Sequence, residues 1–161
     1  MSVSIPGQFH VRLSEGVFDP VFVTALVMDN GADLAMFVSA DIVVIRNYLV
    51  DRLRERVAER DPAIPVEKIV LNATHTHTGP STYGDTSFSF QTGSTTPDFS
   101  ELPLEGIEAA SNDEYREFFL DQATDAIVEA FRNRKPGGIA YGYGYAVVAH
   151  SRRVVYFDDV S

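Results

Sequence analysis

Leu34-Ala35-Met36-Phe37-Val38-Ser39-Ala40-Asp41 opens the stretch that decides the fold, which runs on to Ile69-Val70-Leu71-Asn72-Ala73. The opening run is short, apolar and rich in strand formers. Ile45, Leu49, Leu53 and Val57 then recur every four residues among Arg and Glu and stop before Asp61-Pro62. That spacing predicts an amphipathic helix. Glu67 to Ala73 reads as the next strand. Strand, helix and strand in this order predict a right-handed crossover joining two parallel strands.

Upstream, Val21 to Met28 is a second apolar run, and Asp29-Asn30-Gly31 separates it from Leu34. Asn-Gly supplies the positive φ angles of a tight turn, so the two runs predict a hairpin. Neither run alternates with polar residues, so both faces of these strands are expected to be covered. Downstream, Ser111-Asn112-Asp113-Glu114 reads as a capping box opening a second helix. Its expected core stripe is Tyr115, Phe118, Phe119, Gln122, Ala123, Ala126, Ile127, Ala130 and Phe131. Arg132, Arg134 and Lys135 suit the helix end, and Pro136-Gly137-Gly138 stop it. Ile139 to Val148 is expected to be a strand, with Tyr141, Tyr143 and Tyr145 on one face and Gly142 and Gly144 on the other. Val154 to Phe157 is expected to be a last strand. The whole is an α/β fold: a mixed sheet with an N-terminal hairpin, a β-α-β crossover and helices packed on the sheet.

Composition narrows the function classes. The 161 residues fit a single α/β unit able to bury a core, and no internal repeat is present. The mean hydropathy of -0.05 is that of a globular chain. No apolar run approaches the roughly 20 residues needed to cross a bilayer. Met1 to Gly7 lacks the basic start and apolar core of a signal peptide, so a cytoplasmic location is expected unless a leader has been removed. Residues 81–121 hold nine acids against one base, most of the net charge of -10. Such a surface repels nucleic-acid phosphates and anionic headgroups, which excludes nucleic acid as an expected partner. Residues 78–110 form a long loop rich in Ser, Thr, Gly and Pro. Its Phe88, Phe90 and Phe99 are anchors that pack on the body or face an apolar substrate.

The chemistry concentrates at Ala73-Thr74-His75-Thr76-His77-Thr78-Gly79-Pro80, which holds two of the four histidines. On an extended backbone, residues two apart share a face, so both imidazoles can address one point. With no cysteine in the chain, a transition metal must be held by His, Asp, Glu or Tyr, which favours a hydrolytic zinc-type site over a zinc finger. In parallel arrangements sites gather beyond the carboxyl ends of strands. That brings Asp41 to the same sheet edge as the histidines, either as part of a site or as a carboxylate at the start of the helix. His10 and His150 are isolated, as surface or packed residues or as further ligands. Arg152 and Arg153 are strand-edge cations or a binding point for an anionic group. No nucleophile elbow, phosphate-binding loop or His-Glu-x-x-His helix is present.

A strand ending in Ser39-Ala40-Asp41, a helix, and a strand ending in Ala73 to Pro80 resembles the N-terminal domain of the neutral/alkaline non-lysosomal ceramidase family. Gly16-Val17-Phe18-Asp19-Pro20 and Ser151-Arg152-Arg153 fall in the family's order, so the resemblance spans nearly the whole chain. It implies a zinc-dependent hydrolase that cleaves the amide bond of an N-acyl substrate. His75 would be a zinc ligand, and His77 would sit beside the metal to contact the substrate or tetrahedral intermediate. Arg152 matches the family's site arginine, with Ser151 where the family carries Asn. The family's remaining zinc ligands and nucleophilic serine lie beyond the last residue of this chain. The chain is therefore expected to be the N-terminal part of a larger hydrolase domain, inactive alone, and to pair with the rest or with a second copy. Two alternatives are a zinc-type hydrolase of another amide or ester, suggested by the acidic polar loop, and a non-catalytic, self-associating module.

Overall fold

The computed structural model describes residues 2–7, 12–82 and 110–148. The expected α/β architecture is present. Strand β1, Val23–Asp29, pairs antiparallel with β2, Leu34–Ala40, and β2 pairs parallel with β3, Ile69–Ala73, in the order β1-β2-β3. Helix α1, Asn47–Arg60, joins β2 to β3 through a single 3₁₀ turn at Val66–Lys68. Helix α2, Asn112–Arg132, lies against β1 and α1.

The hairpin forms with a longer turn than Asn-Gly predicts. Asp29 is the register partner of Leu34, leaving a four-residue connection, 30–33. Gly31 supplies a single positive φ of 82°, and the Asn30 side chain accepts hydrogen bonds from the Ala32 and Asp33 amides. The asparagine thus works through its amide oxygen rather than through a left-handed backbone.

Register fixes which residues enter the core. Three rows cross the sheet on one face: Val27–Met36–Ile69, Ala25–Val38–Leu71 and Val23–Ala40–Ala73. Leu49, Leu53 and Val57 of α1 and Phe119, Leu120, Ala123 and Ile127 of α2 close over them. Each fully buried Leu or Val contributes about 1.5–3 kcal/mol relative to exposure. The buried stripe of α2 differs from the expected one. Leu120, Thr124 and Val128 are buried, while Phe118 and Gln122 are exposed. The cause is that α2 serves two neighbours, so its buried face turns toward α1. Phe118 and Gln122 instead line a groove of about 340 Å³ with Val21, Phe22, Asp41 and Tyr115.

Both helices join one cluster on one face, so the expectation that both faces of the strands are covered fails among the described residues. Leu26, Phe37 and Val70 form a row across the other face and stay 55%, 40% and 50% exposed. The apolar runs of β1 and β2 signalled burial on two sides, and the helices supply only one.

The helix ends are set locally. Ser111 and Glu114 form the predicted capping box. Between the helices, Arg56 pairs with Glu117 and Asp121, and Arg60 reaches Asp125 at 2.5 Å. Arg132 reaches Asp61 at 2.9 Å, and Arg134 reaches Asp29 at 3.3 Å. Beyond them, Ile139 to Val148 forms no strand. The segment is exposed, and a Cβ placed on Gly142 or Gly144 would meet nothing within 4 Å. The order β1-β2-β3 leaves β1 and β3 as edges, and among the described residues neither pairs with this segment. The last expected strand, Val154 to Phe157, lies outside the described residues.

Candidate functional site

The carboxyl ends of β2 and β3 lie side by side, because Ala40 and Ala73 are register partners in the parallel pair. The next residues of both strands therefore share one edge of the sheet, as the crossover predicts. Asp41 does not cap α1, which starts six positions later with no acid in its first turn. Its carboxylate instead accepts from the Phe22 amide at 3.0 Å and from the Thr74 hydroxyl at 3.0 Å. Asp41 thus staples the entry of β1 to the exit of β3. Gly79 packs on its backbone, where a Cβ would come within 2.4 Å of the Asp41 carbonyl oxygen. Only glycine permits that approach.

Strand alternation is not what brings the two imidazoles together. The extended backbone ends at Ala73, and His75 sits in the left-handed region at φ 63°. A non-glycine residue there is held by its surroundings. The holding groups belong to the segment after β2: the His75 amide donates to the Ile42 carbonyl at 3.2 Å, and Nδ1 lies 2.6 Å from the Val43 carbonyl oxygen. A carbonyl can only accept, so Nδ1 carries a proton, and in the neutral ring Nε2 presents a lone pair. That lone pair faces His77, whose Nε2 is 3.4 Å away, with the rings edge to face at a centroid distance of 4.9 Å.

This spacing has a direct chemical reading. Two nitrogens at about 2.0–2.1 Å from a tetrahedral ion are about 3.3–3.4 Å apart. The His75 Nδ1–H donated to a carbonyl is also the outer contact that fixes the tautomer of a ligating histidine. Among the described residues no third His, Asp or Glu joins the pair. Asp41 is near in the chain path, but its oxygens are engaged in the staple. Beside the edge, burial and then the Asp41 charge push the Tyr115 phenol above its ordinary value.

Of the expected site residues, the structure brings His75 and His77 together. Arg152 lies outside the described residues, as do His10, His150, Arg153, the phenylalanines of the loop and most of residues 78–110. Sequence reasoning missed the Val43 carbonyl and the N-terminal residues that touch His77. The Arg12 guanidinium donates to the His77 carbonyl, and Gly7 lies against the His77 ring. Backbone acceptors and contacts spanning 65 positions leave no local pattern to read.

Comparison of the chain with known protein families, with curated proteins and with solved structures found no match.

Proposed function

We propose that this chain carries part of the centre of a zinc-dependent hydrolase acting on the amide bond of N-acyl substrates. The observation that carries the reading is the facing pair of Nε2 atoms 3.4 Å apart, with the His75 tautomer fixed by the Val43 carbonyl. The resemblance of Ala73 to Pro80 to the neutral/alkaline ceramidase motif supplies the reaction class. In this reading His75 Nε2 ligates the ion, and His77 Nε2 shares it or meets the substrate beside it. Zinc bound there supplies Lewis acidity toward an amide carbonyl. Asp41 holds the two strand exits in register, and Gly79 lets the turn fold back over them. Two protein nitrogens fall short of the three ligands of catalytic zinc, so the described set gives binding rather than turnover.

The test is zinc content per chain after dialysis, in wild type, His75→Ala and His77→Ala. Bound zinc that falls at least tenfold in His75→Ala supports the reading. Equal zinc in wild type and His75→Ala, or none in any of the three, overturns it.

A second reading is a non-catalytic module that associates with another copy of itself. The exposed row Leu26–Phe37–Val70 and the exposed segment Ile139 to Val148 favour it. A single apolar patch across a sheet is a common site of association. Zinc-dependent hydrolysis of an N-acyl sphingoid base by the purified chain, lost in His75→Ala, would rule this reading out.

A further inference from the structure

The two histidines are held by different parts of the chain. His75 belongs to the body, through Ile42 and Val43. His77 is held from the N-terminus. Residues 2–7 and 12–14 form a small antiparallel ladder, in which Ser4 pairs with Leu13, Ile5 donates to the Arg12 carbonyl at 3.0 Å and Ser14 donates to the Val3 carbonyl at 2.9 Å. The ladder is sewn to the histidine turn by a 2.9 Å bond from the Ser81 amide to the Ser4 carbonyl. Across that seam, one Arg12 nitrogen donates to both the Pro6 carbonyl, at 3.2 Å, and the His77 carbonyl. Gly7, at φ 100°, has no side chain where the His77 ring sits. A Cβ there would lie 2.6 Å from Cγ and 2.7 Å from Nδ1 of that ring.

We infer that Arg12 and Gly7 are positioning residues for His77, so the histidine pair is assembled only while the N-terminal ladder is docked. The guanidinium fixes the backbone of His77, and the bare Cα of Gly7 forms the floor on which its ring rests. Together they aim Nε2 at His75. Undocking the ladder frees His77 while His75 keeps its bonds to Val43 and Ile42. A shared metal then loses one nitrogen. The metal part of this inference rests on the proposed function above, and the positioning part does not.

The experiment compares the 161-residue chain with Arg12→Ala, Arg12→Lys, Gly7→Ala and, as a control, Gly16→Ala, whose Cβ would meet nothing within 4 Å. Two readouts are taken after thermal unfolding has shown that each variant folds. The first is the metal-free nitrogen–proton NMR of the histidine rings. Arg12→Ala and Gly7→Ala should shift the His77 ring signals and leave the His75 Nδ1–H signal in place. Gly16→Ala should shift neither, and Arg12→Lys should recover part of the wild-type signal. The second is titration with Co²⁺ alone, read by its visible absorption. Affinity should fall about tenfold or more in Arg12→Ala and Gly7→Ala, the size seen when a ligand's outer contacts are removed.

His77 signals unchanged in both variants would overturn the inference, as would equal shifts of both histidines. If wild type takes up no Co²⁺ but His77 alone responds, the positioning stands and the metal reading fails. If all variants bind Co²⁺ equally with unmoved rings, the metal reading stands and the positioning fails. Where Arg12→Ala does not fold, Arg12→Lys and Gly7→Ala carry the same comparison.

Discussion

Val43 and His75 are joined through a backbone carbonyl oxygen 2.6 Å from Nδ1, and this contact decides which nitrogen of His75 is available for chemistry. Neutral His75 should therefore hold its proton on Nδ1, against the usual solution preference for Nε2. Nitrogen chemical shifts of the metal-free protein above the imidazole titration range check this. An Nε2-protonated His75 would contradict the geometry. No substitution of Val43 should change the tautomer unless it moves the backbone, because the acceptor is a main-chain oxygen.

The left-handed backbone of His75 makes a second expectation specific. His75→Ala loses the imidazole and keeps a Cβ in a strained conformation, whereas His75→Gly loses the imidazole and relieves the strain. The glycine variant should be more stable than the alanine variant by about 1 kcal/mol. Urea unfolding of the two variants measures the difference. Equal midpoints would mean that the φ of 63° carries no cost.

The two faces of the sheet should respond differently to truncation. Leu53→Ala empties a site with no solvent exposure and should cost about 2–5 kcal/mol. Phe37→Thr lies on the open face and should cost under about 1 kcal/mol. If this face mediates self-association, Phe37→Thr should also lower the apparent mass in concentrated solution. Sedimentation at several concentrations, together with thermal unfolding, separates the two effects.

The hairpin turn has a pH signature. The hydrogen bond from Lys68 comes first, then one from the Leu34 amide and the Lys68 charge, and together they hold the Asp33 carboxyl below the usual carboxylate value. A lowered native value adds stability that is fully present above the unfolded carboxylate range and is lost as pH falls through the lowered native one. The Asp33 bond likewise raises Lys68, so its share is present at neutral pH and is lost only as pH rises through the raised lysine value. The Lys68 and Asp33 side chains keep 38% and 65% of their surface exposed, so salt should weaken the pair. In Lys68→Met, carboxyl NMR should show Asp33 titrating closer to the ordinary value. An unchanged titration would sink the pairing.

How much of this was legible depends on how local each cause is. The capping box at Ser111, the four-residue spacing of Leu49, Leu53 and Val57, and the boundaries of Leu34–Ala40 are local, and the sequence states each of them openly. The face that α2 buries is not local. Phe118 looks like core by its spacing, yet it faces a groove because α1 draws the helix round toward Leu120 and Thr124. Ile139 to Val148 has a strand's composition, but composition does not dock it on either open edge of the sheet, β1 or β3. The meeting of His75 and His77 was foreseen for the wrong reason. Alternation along a strand suggested it, whereas a left-handed turn and the Val43 carbonyl produce it. Arg12 and Gly7 had no local signature, because their partner lies far along the chain.

The docking of the N-terminal ladder also sets an order of events during synthesis. Residues 2–14 emerge before the groups that receive them, because the His77 carbonyl and the Ser81 amide are made only after β2, α1 and β3. The Ala110 amide, which donates to the Ser2 carbonyl at 2.8 Å, comes later still. Residues 2–14 must therefore wait for these partners while the crossover folds behind them. Closing so long a loop carries an entropy that grows only with the logarithm of its length, so the delay is chiefly one of vectorial translation. A chain begun after Arg12 would be expected to build its crossover on schedule and leave the second imidazole without its seat.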